Sequence, residues 1–203
     1  PVVDFMTRSV DEILKKDFAR KGGIKNDEVT ILDPATGTGS FLKKCVDLIH
    51  SSFDGDEGAW NHYIEDVLLK RIFGLELLMA PYSIAHMKLG LQLQESGYKF
   101  KKDQRLGVFL TNTLEKSARI TDDIMFDWVS EEVNAASEVK NEKPIMVVMG
   151  NPPYANESEN KGKWISDLMK GFDSISEEKT ENYFECEGKP LGERNSKNLN
   201  DDY

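Results

Sequence analysis

Apolar residues recur at helical spacing near the start of the chain: Val3, Met6, Val10, Ile13, Leu14 and Phe18. The pattern predicts an amphipathic helix, ended by the Gly22-Gly23 pair. Val29-Thr30-Ile31-Leu32 is then a short β-branched run and predicts a strand, broken at Asp33-Pro34 and passing into Gly37-Thr38-Gly39. Phe41, Leu42, Cys45, Val46, Leu48 and Ile49 return to helical spacing. After a polar loop from Ser51 to Gly58, Trp60, Tyr63, Ile64, Val67 and Leu68 mark another helix. The run Arg71 to Leu77 predicts a second strand, and Pro81 suits the first turn of a helix reaching about Glu95. A third strand is expected from Arg105 to Leu110, a helix from Asp122 to Val139, and a fourth and clearest strand at Ile145 to Met149.

Strand and helix thus alternate four times along the chain. Alternation of this kind predicts an α/β domain with an open, mostly parallel sheet and helices on both faces. Ligands of such folds bind at the carboxyl ends of the strands. The polar residues of interest fall there: Asp33 to Gly39, Glu76, Asn112, and Asn151 to Tyr154. Beyond Tyr154 the chain turns polar. Lys163 to Met169 could form a short helix, and Glu177 to Tyr203 has so little apolar periodicity that partial disorder in isolation is expected.

Composition narrows the picture. The 203 residues allow one domain with a sizeable core. No apolar run is long enough to span a bilayer, and the first residues lack the basic start and apolar middle of a signal peptide. A start at Pro1 suggests a piece of a longer chain. The two cysteines, Cys45 in an apolar helical stretch and Cys186 in a polar tail, make neither a disulfide framework nor a zinc site, so a reducing cytoplasm fits and no metal is expected. The formal charge of −10 argues against the whole chain being a nucleic-acid surface, because phosphate contacts need Lys and Arg.

The candidate chemistry lies in four groups of residues. In Asp33-Pro34-Ala35-Thr36-Gly37-Thr38-Gly39-Ser40-Phe41, glycines let the backbone pass close to a ligand, and the helix start offers free N–H groups. A tight turn would use glycines for backbone reasons alone. A dinucleotide fingerprint is disfavoured because position 42 is Leu, and no Gly-Lys-Ser/Thr follows to make a P-loop. Glu76, with Leu77 after it, ends the second strand, where an acid can accept from both hydroxyls of a ribose. Asn112, followed by Thr113, ends the third, where an amide can bind an adenine edge or simply form a turn. In Asn151-Pro152-Pro153-Tyr154 the Asn oxygen and the Pro152 carbonyl can both accept from one exocyclic amino group, making its lone pair available for attack. The prolines stiffen that loop, and Tyr154 offers a flat face for a flipped-out base.

Asp33 to Phe41 resembles the S-adenosylmethionine-binding motif of amino-methyltransferases, and Asn151 to Tyr154 resembles their catalytic motif. The order of the two is similar to that in N6-adenine DNA methyltransferase domains of restriction-modification enzymes: type I modification subunits, single-chain type I-like enzymes and type IIG enzymes. The opening Pro1 to Leu14, the stretch Phe73 to Leu77 with Pro81 to Leu89, and the tail around Lys161 to Ile165 and Asp201 to Tyr203 share the resemblance. It implies a Rossmann-like S-adenosylmethionine-dependent methyltransferase fold, incomplete at the C-terminal end. Residues 1–28 would be a helix covering the cofactor site, 29–157 the methyltransferase core, and 158–203 a polar extension. The implied cofactor is S-adenosyl-L-methionine, and the implied reaction is methylation of adenine N6 in DNA. The implied partners are double-stranded DNA with a flipped adenine and the target-recognition, nuclease or helicase domains of one longer chain. The chain departs from the pattern in two places: the Tyr-Thr-Pro that usually opens the first motif is absent, and Asn112 stands where an acid is common. Alternatives are an amino-methyltransferase acting on protein glutamine or RNA, on which the acidic charge bears, a cytosine-N4 enzyme, and a non-catalytic cofactor-binding module.

Overall fold

The structure, a computed structural model, describes residues 1–115, 127–153, 163–174 and 176–192, with the backbone alone at 127–129. It divides into two compact units. The first holds Pro1–Thr113 and Ser117–Asn151, and the second holds Leu114–Lys116 and Pro152–Tyr203.

The first unit is built on a parallel sheet. Its strands are β1 (Ile31–Asp33), β2 (Ile72–Glu76), β3 (Val108–Leu110) and β4 (Val147–Val148), in the spatial order β3-β2-β1-β4. β1 is therefore the hub, with β2 on one side and β4 on the other. The chain leaves β1 toward β2 and returns on its far side as β4, which makes the gap between β1 and β4 the point where strand order reverses.

Period-two alternation sends successive side chains to opposite faces. Ile31, Ile72, Val108 and Val147 face α1 (Val2–Lys16), α2 (Ser40–Ser51), α3 (Glu57–Asp66) and α4 (Met79–Glu95) across the larger core. Leu32, Phe73, Leu75 and Phe109 face Ala136 and Val139 of α5 (Asp127–Asn141) on the other side. Both faces are apolar because both are covered, as the alternation of strands and helices requires.

Several boundaries differ from the sequence expectation. β1 starts two residues late and includes Asp33, because Val29 and Thr30 are held by other contacts: the Val29 carbonyl accepts from the buried Arg71 guanidinium at 2.7 Å. β4 keeps only two residues of the apolar run 145–149. α1 stops at Lys16, leaving Phe18 59% exposed. Its buried positions are Thr7, Asp11 and Leu14, with Val3, Met6 and Val10 partly buried. Asp11 accepts from the Ile24 N–H at 2.8 Å and from Lys15 at 2.5 Å, and so fastens the 3-10 turn Gly23–Lys25 to the helix. Of the helix expected from Asp122, residues 122–126 lie outside the described residues.

The second unit contains α6 (Lys163–Met169) and an antiparallel pair, β5 (Lys170–Asp173) and β6 (Glu178–Asn182), with Trp164 Nε1 donating to Asp173 Oδ1 at 3.1 Å. A small hairpin follows, β7 (Glu185–Cys186) with β8 (Lys189–Pro190). Partial disorder was expected from Glu177 onward, yet the chain forms strands there as far as Pro190. Short hairpins held by backbone hydrogen bonds leave almost no apolar signature, and every β6 residue except Asn182 is exposed. No described helix is long and apolar enough to cross a membrane.

Gly74 in mid-strand makes room for the cleft turn: a Cβ there would overlap Thr36 Oγ1 and stand 2.8 Å from Leu42 Cδ1. Thr36 cannot swing away, since it is buried and donates to the Asp33 carbonyl at 3.1 Å. Gly74→Ala is expected to destabilise the first unit by about 1–3 kcal/mol through overpacking, read from the urea midpoint.

Candidate active site

The four strand ends open onto one set of loops. After β1 the chain runs beside β2, with Thr36 N–H donating to the Leu75 carbonyl at 3.0 Å. It then turns sharply, with Gly37 at φ +54° and Gly39 at φ +76°. A Cβ on Gly37 would meet nothing within 4 Å, so the backbone there faces open space. Gly39 is needed for a close approach as well, since its Cβ would lie 3.2 Å from Ala85 Cβ on α4. Gly39 caps α2, and no side chain caps that helix start. The first N–H groups of α2 are thus offered to an anionic group.

Glu76 binds this turn directly. Its Oε2 accepts from Gly37 N–H at 2.7 Å, and its Oε1 accepts from Leu78 N–H at 2.8 Å. Only 9% of the residue is exposed. Each carboxylate oxygen has a second lone-pair direction, so these bonds leave acceptor capacity for hydroxyls. Leu77, Leu78 and Met79 follow with more than half of each residue exposed, an apolar ledge beside the acid. Thr113 Oγ1 donates to the Pro34 carbonyl at 2.5 Å, which ties the end of β3 to the turn after β1. Lys140 of α5 donates to Thr111 Oγ1 at 3.1 Å and to the Asn112 carbonyl at 2.6 Å.

On the other side of β1, Met149 N–H donates to the Leu32 carbonyl at 3.0 Å. Gly150 then lies against the turn: a Cβ on it would overlap Asp33 Oδ1 and stand 3.3 Å from Pro34 Cδ. Asn151 follows at once and is exposed. The loops expected to hold cofactor and to act on substrate therefore leave adjacent strands side by side. Pro152 and Pro153 come next in sequence and fall in the second unit, and Tyr154 lies outside the described residues.

Asp33 has no exposed surface. Its Oδ1 accepts from Ala35 N–H at 3.1 Å, while Oδ2 has no hydrogen-bond partner among the described residues. Burial pushes the carboxyl up to about 7, and the nearby Glu76 charge adds to the rise. Phe41 is buried in the core at 7% exposure. The pocket lined by Leu42, Val46, Ile72, Leu93 and Val108 is apolar and sits toward the amino ends of β2 and β3, away from these loops.

The sequence reading did not single out Gly74, Gly150 or Lys140. The two glycines carried a signal, since a glycine inside or directly after a strand often marks a close approach of other groups. Lys140 carried none.

The sheet and its loops define a Rossmann-like methyltransferase fold. Residues 22–186 match the family model of the MmeI DNA-methyltransferase domain, and the chain belongs to that family. No curated protein matches it. Among solved structures it is similar to a nuclease-deletion mutant of the Type ISP restriction-modification enzyme LlaGI in complex with a DNA substrate mimic. The identity is 24% and the TM-score 0.60, over 86% of this chain and 15% of that one. It is also similar to the ATP-dependent Type ISP restriction-modification enzyme LlaBIII bound to DNA, at 26% identity and TM-score 0.61, over 84% of this chain and 12% of that one. The DrdV–DNA complex matches at 24% identity and TM-score 0.62, over 84% and 16%. The chain thus spans less than a fifth of the length of each of these relatives.

The buried acid generates a prediction about pH. A carboxyl whose folded value lies above its ordinary 3.8 favours the fold when protonated, and that contribution is lost as pH rises to about 7. Asp33→Asn removes the titration. The stability of the variant relative to the parent should therefore climb between pH 4 and pH 7 and level off above. The swing is on the order of 4 kcal/mol, at about 1.4 kcal/mol for each pH unit of displaced titration. Urea unfolding of both proteins at a series of pH values checks it, and parallel curves would count against a buried titrating Asp33.

Proposed function

We propose that the chain is the cofactor-binding and catalytic part of an S-adenosylmethionine-dependent DNA methyltransferase acting on adenine N6 within a restriction-modification system. One observation carries this reading: β1 and β4 run parallel side by side, so the loop bearing Asn151 starts directly against the Asp33–Gly39 turn. Membership of the MmeI methyltransferase family and the likeness to restriction-modification enzymes solved with DNA support it. The share of those relatives that the chain covers leaves room for partner domains to supply the DNA contacts that a net charge of −10 disfavours here.

The residues present suit the cofactor. Open space at Gly37, uncapped N–H groups at the start of α2 and the unpartnered Asp33 Oδ2 together fit a ligand bearing a carboxylate and positive charge. Glu76 would accept the ribose hydroxyls, and Leu77 would lie against the nucleobase, with Asn112 and Thr113 at its edge. Asp33, Pro34, Ala35, Thr36, Gly37, Gly39 and Phe41 would form and support the wall beneath the methionine end. When bound, S-adenosylmethionine supplies a methyl group on a sulfonium. Asn151 would accept a hydrogen bond from the target amino group, and the Pro152 carbonyl would accept a second. Two acceptors on one NH2 draw its nitrogen toward tetrahedral geometry and localise its lone pair. Pro153 would fix the loop, and Tyr154 would stack on the extruded base. The protein's part is positioning and fixed dipoles, with no strong base required.

Asn151→Ala should lower methyl transfer to DNA by at least about 100-fold, the scale of losing one polar contact to the reacting group. Cofactor binding should persist. Tritium transfer to DNA, RNA and protein, followed by nucleoside analysis for N6-methyladenine, checks both the residue and the substrate. Undiminished transfer by the variant would remove Asn151 from the mechanism. Glu76→Ala should weaken cofactor binding by about 10–100-fold, as expected for charged hydrogen bonds worth about 1.5–3 kcal/mol. Titration calorimetry measures it, and equal affinities would remove the ribose assignment.

A further inference from the structure

Among the described residues, those around Asp33 do not balance its charge. From β2, Glu76 adds negative potential. From α2, the buried Cys45 thiol faces it, itself held protonated with its titration pushed up to about 12 by burial and by Asp33. Directly after β4 come Met149 and Gly150, which are uncharged. The buried cation Arg71 is bonded to the Val29 carbonyl and to the Tyr63 hydroxyl, before the first residues of β1 and β2. Among the described residues, the only hydrogen bond to the carboxyl is the one from Ala35 N–H. A sealed carboxylate with a single donor and an acidic neighbour keeps its proton unless positive charge arrives.

We propose that Asp33 is a specificity-determining residue: it holds a proton in the absence of ligand and releases it when a sulfonium-bearing nucleoside binds, which makes the cleft favour the charged cofactor over the neutral-sulfur product of methyl transfer. The inference rests on the cofactor reading above. The step balances simply: the carboxyl O–H bond breaks, the proton passes to the buffer, and the carboxylate stays behind as counter-charge to the ligand. A cation in a low-dielectric site lowers the proton affinity of a nearby carboxyl. By reciprocity, the same ligand binds more tightly once the proton is gone. A thioether carries no such charge, so the product gains only from the α-ammonium that both ligands share. Burial, and then Glu76, keep the proton on Asp33 until pH approaches about 7, so a bound cation displaces the most protons just below neutrality.

The test is titration calorimetry of the chain with S-adenosylmethionine and with S-adenosylhomocysteine, each in two buffers of different ionisation heat. At pH 7 the methylated ligand should release about half a proton, the demethylated one clearly less, and the release should vanish by pH 9. The preference for S-adenosylmethionine should increase from pH 6 to pH 8. The α-ammonium of the ligands would contribute uptake, the opposite sign, and more of it with S-adenosylmethionine, whose sulfonium disfavours the protonated amine, so it cannot mimic the expected release. Asp33→Asn should show no proton release with either ligand, only the uptake that belongs to the ligand's own ammonium. The parent comparison needs no variant and decides the matter if Asp33→Asn fails to fold. Clear binding of both ligands with no proton release from S-adenosylmethionine overturns the proposal and leaves the cofactor reading standing. So does proton release that survives in Asp33→Asn. Absence of binding heat with either ligand removes the cofactor reading and the proposal with it.

Discussion

One carboxylate holds two walls of the cleft. Glu76 receives Gly37 N–H on one oxygen and Leu78 N–H on the other. The turn after β1 and the start of α4 are thereby referenced to the same strand end. Gly37 and Gly39 adopt left-handed backbone angles that the rest of the loop must accommodate. The approach of Gly39 to Ala85 brings α2 and α4 together only if the turn stays where Glu76 fixes it. Because the acid is buried, its loss would leave two backbone donors without partners.

The sheet supplies the second constraint. β1 is bonded to β2 and β4 at once, so whatever follows β1 has a neighbour on each side. Two glycines keep those neighbours close. Gly74 admits Thr36 over β2, and Gly150 admits Asp33 under the loop that leads to Asn151. Neither glycine has a left-handed backbone. They are there for space, and the two sides of the proposed site are joined by their missing side chains.

Much of this was legible beforehand. The change of apolar period from helical to strand-like located the four strands of the parallel sheet and placed Asp33, Glu76, Asn112 and Asn151 at or just beyond their ends. Strand limits were less legible, because Val29 and the residues around Ile145 have the composition of a strand while their hydrogen bonds go elsewhere. The sequence could suggest Glu76 for a ligand, but not its bonds to Gly37 and Leu78, since those depend on the path of a loop 39 residues away. The ties from Thr113 to Pro34 and from Lys140 to Asn112 were invisible for the same reason. The hairpins at 178–190 were missed because exposed two- to five-residue strands bury too little to leave a pattern.

The two cysteines occupy opposite situations. Cys45 has no exposed surface, lies 3.8 Å from Met149 Sδ, and holds its proton far into alkaline conditions. Cys186 is exposed. Alkylating reagents attack the thiolate, so at neutral pH a maleimide dye goes to Cys186 and leaves Cys45 untouched while the fold is closed. The chain thus carries its own labelling handle in the second unit and, within the core of the first, a silent thiol whose modification would register each opening of that core.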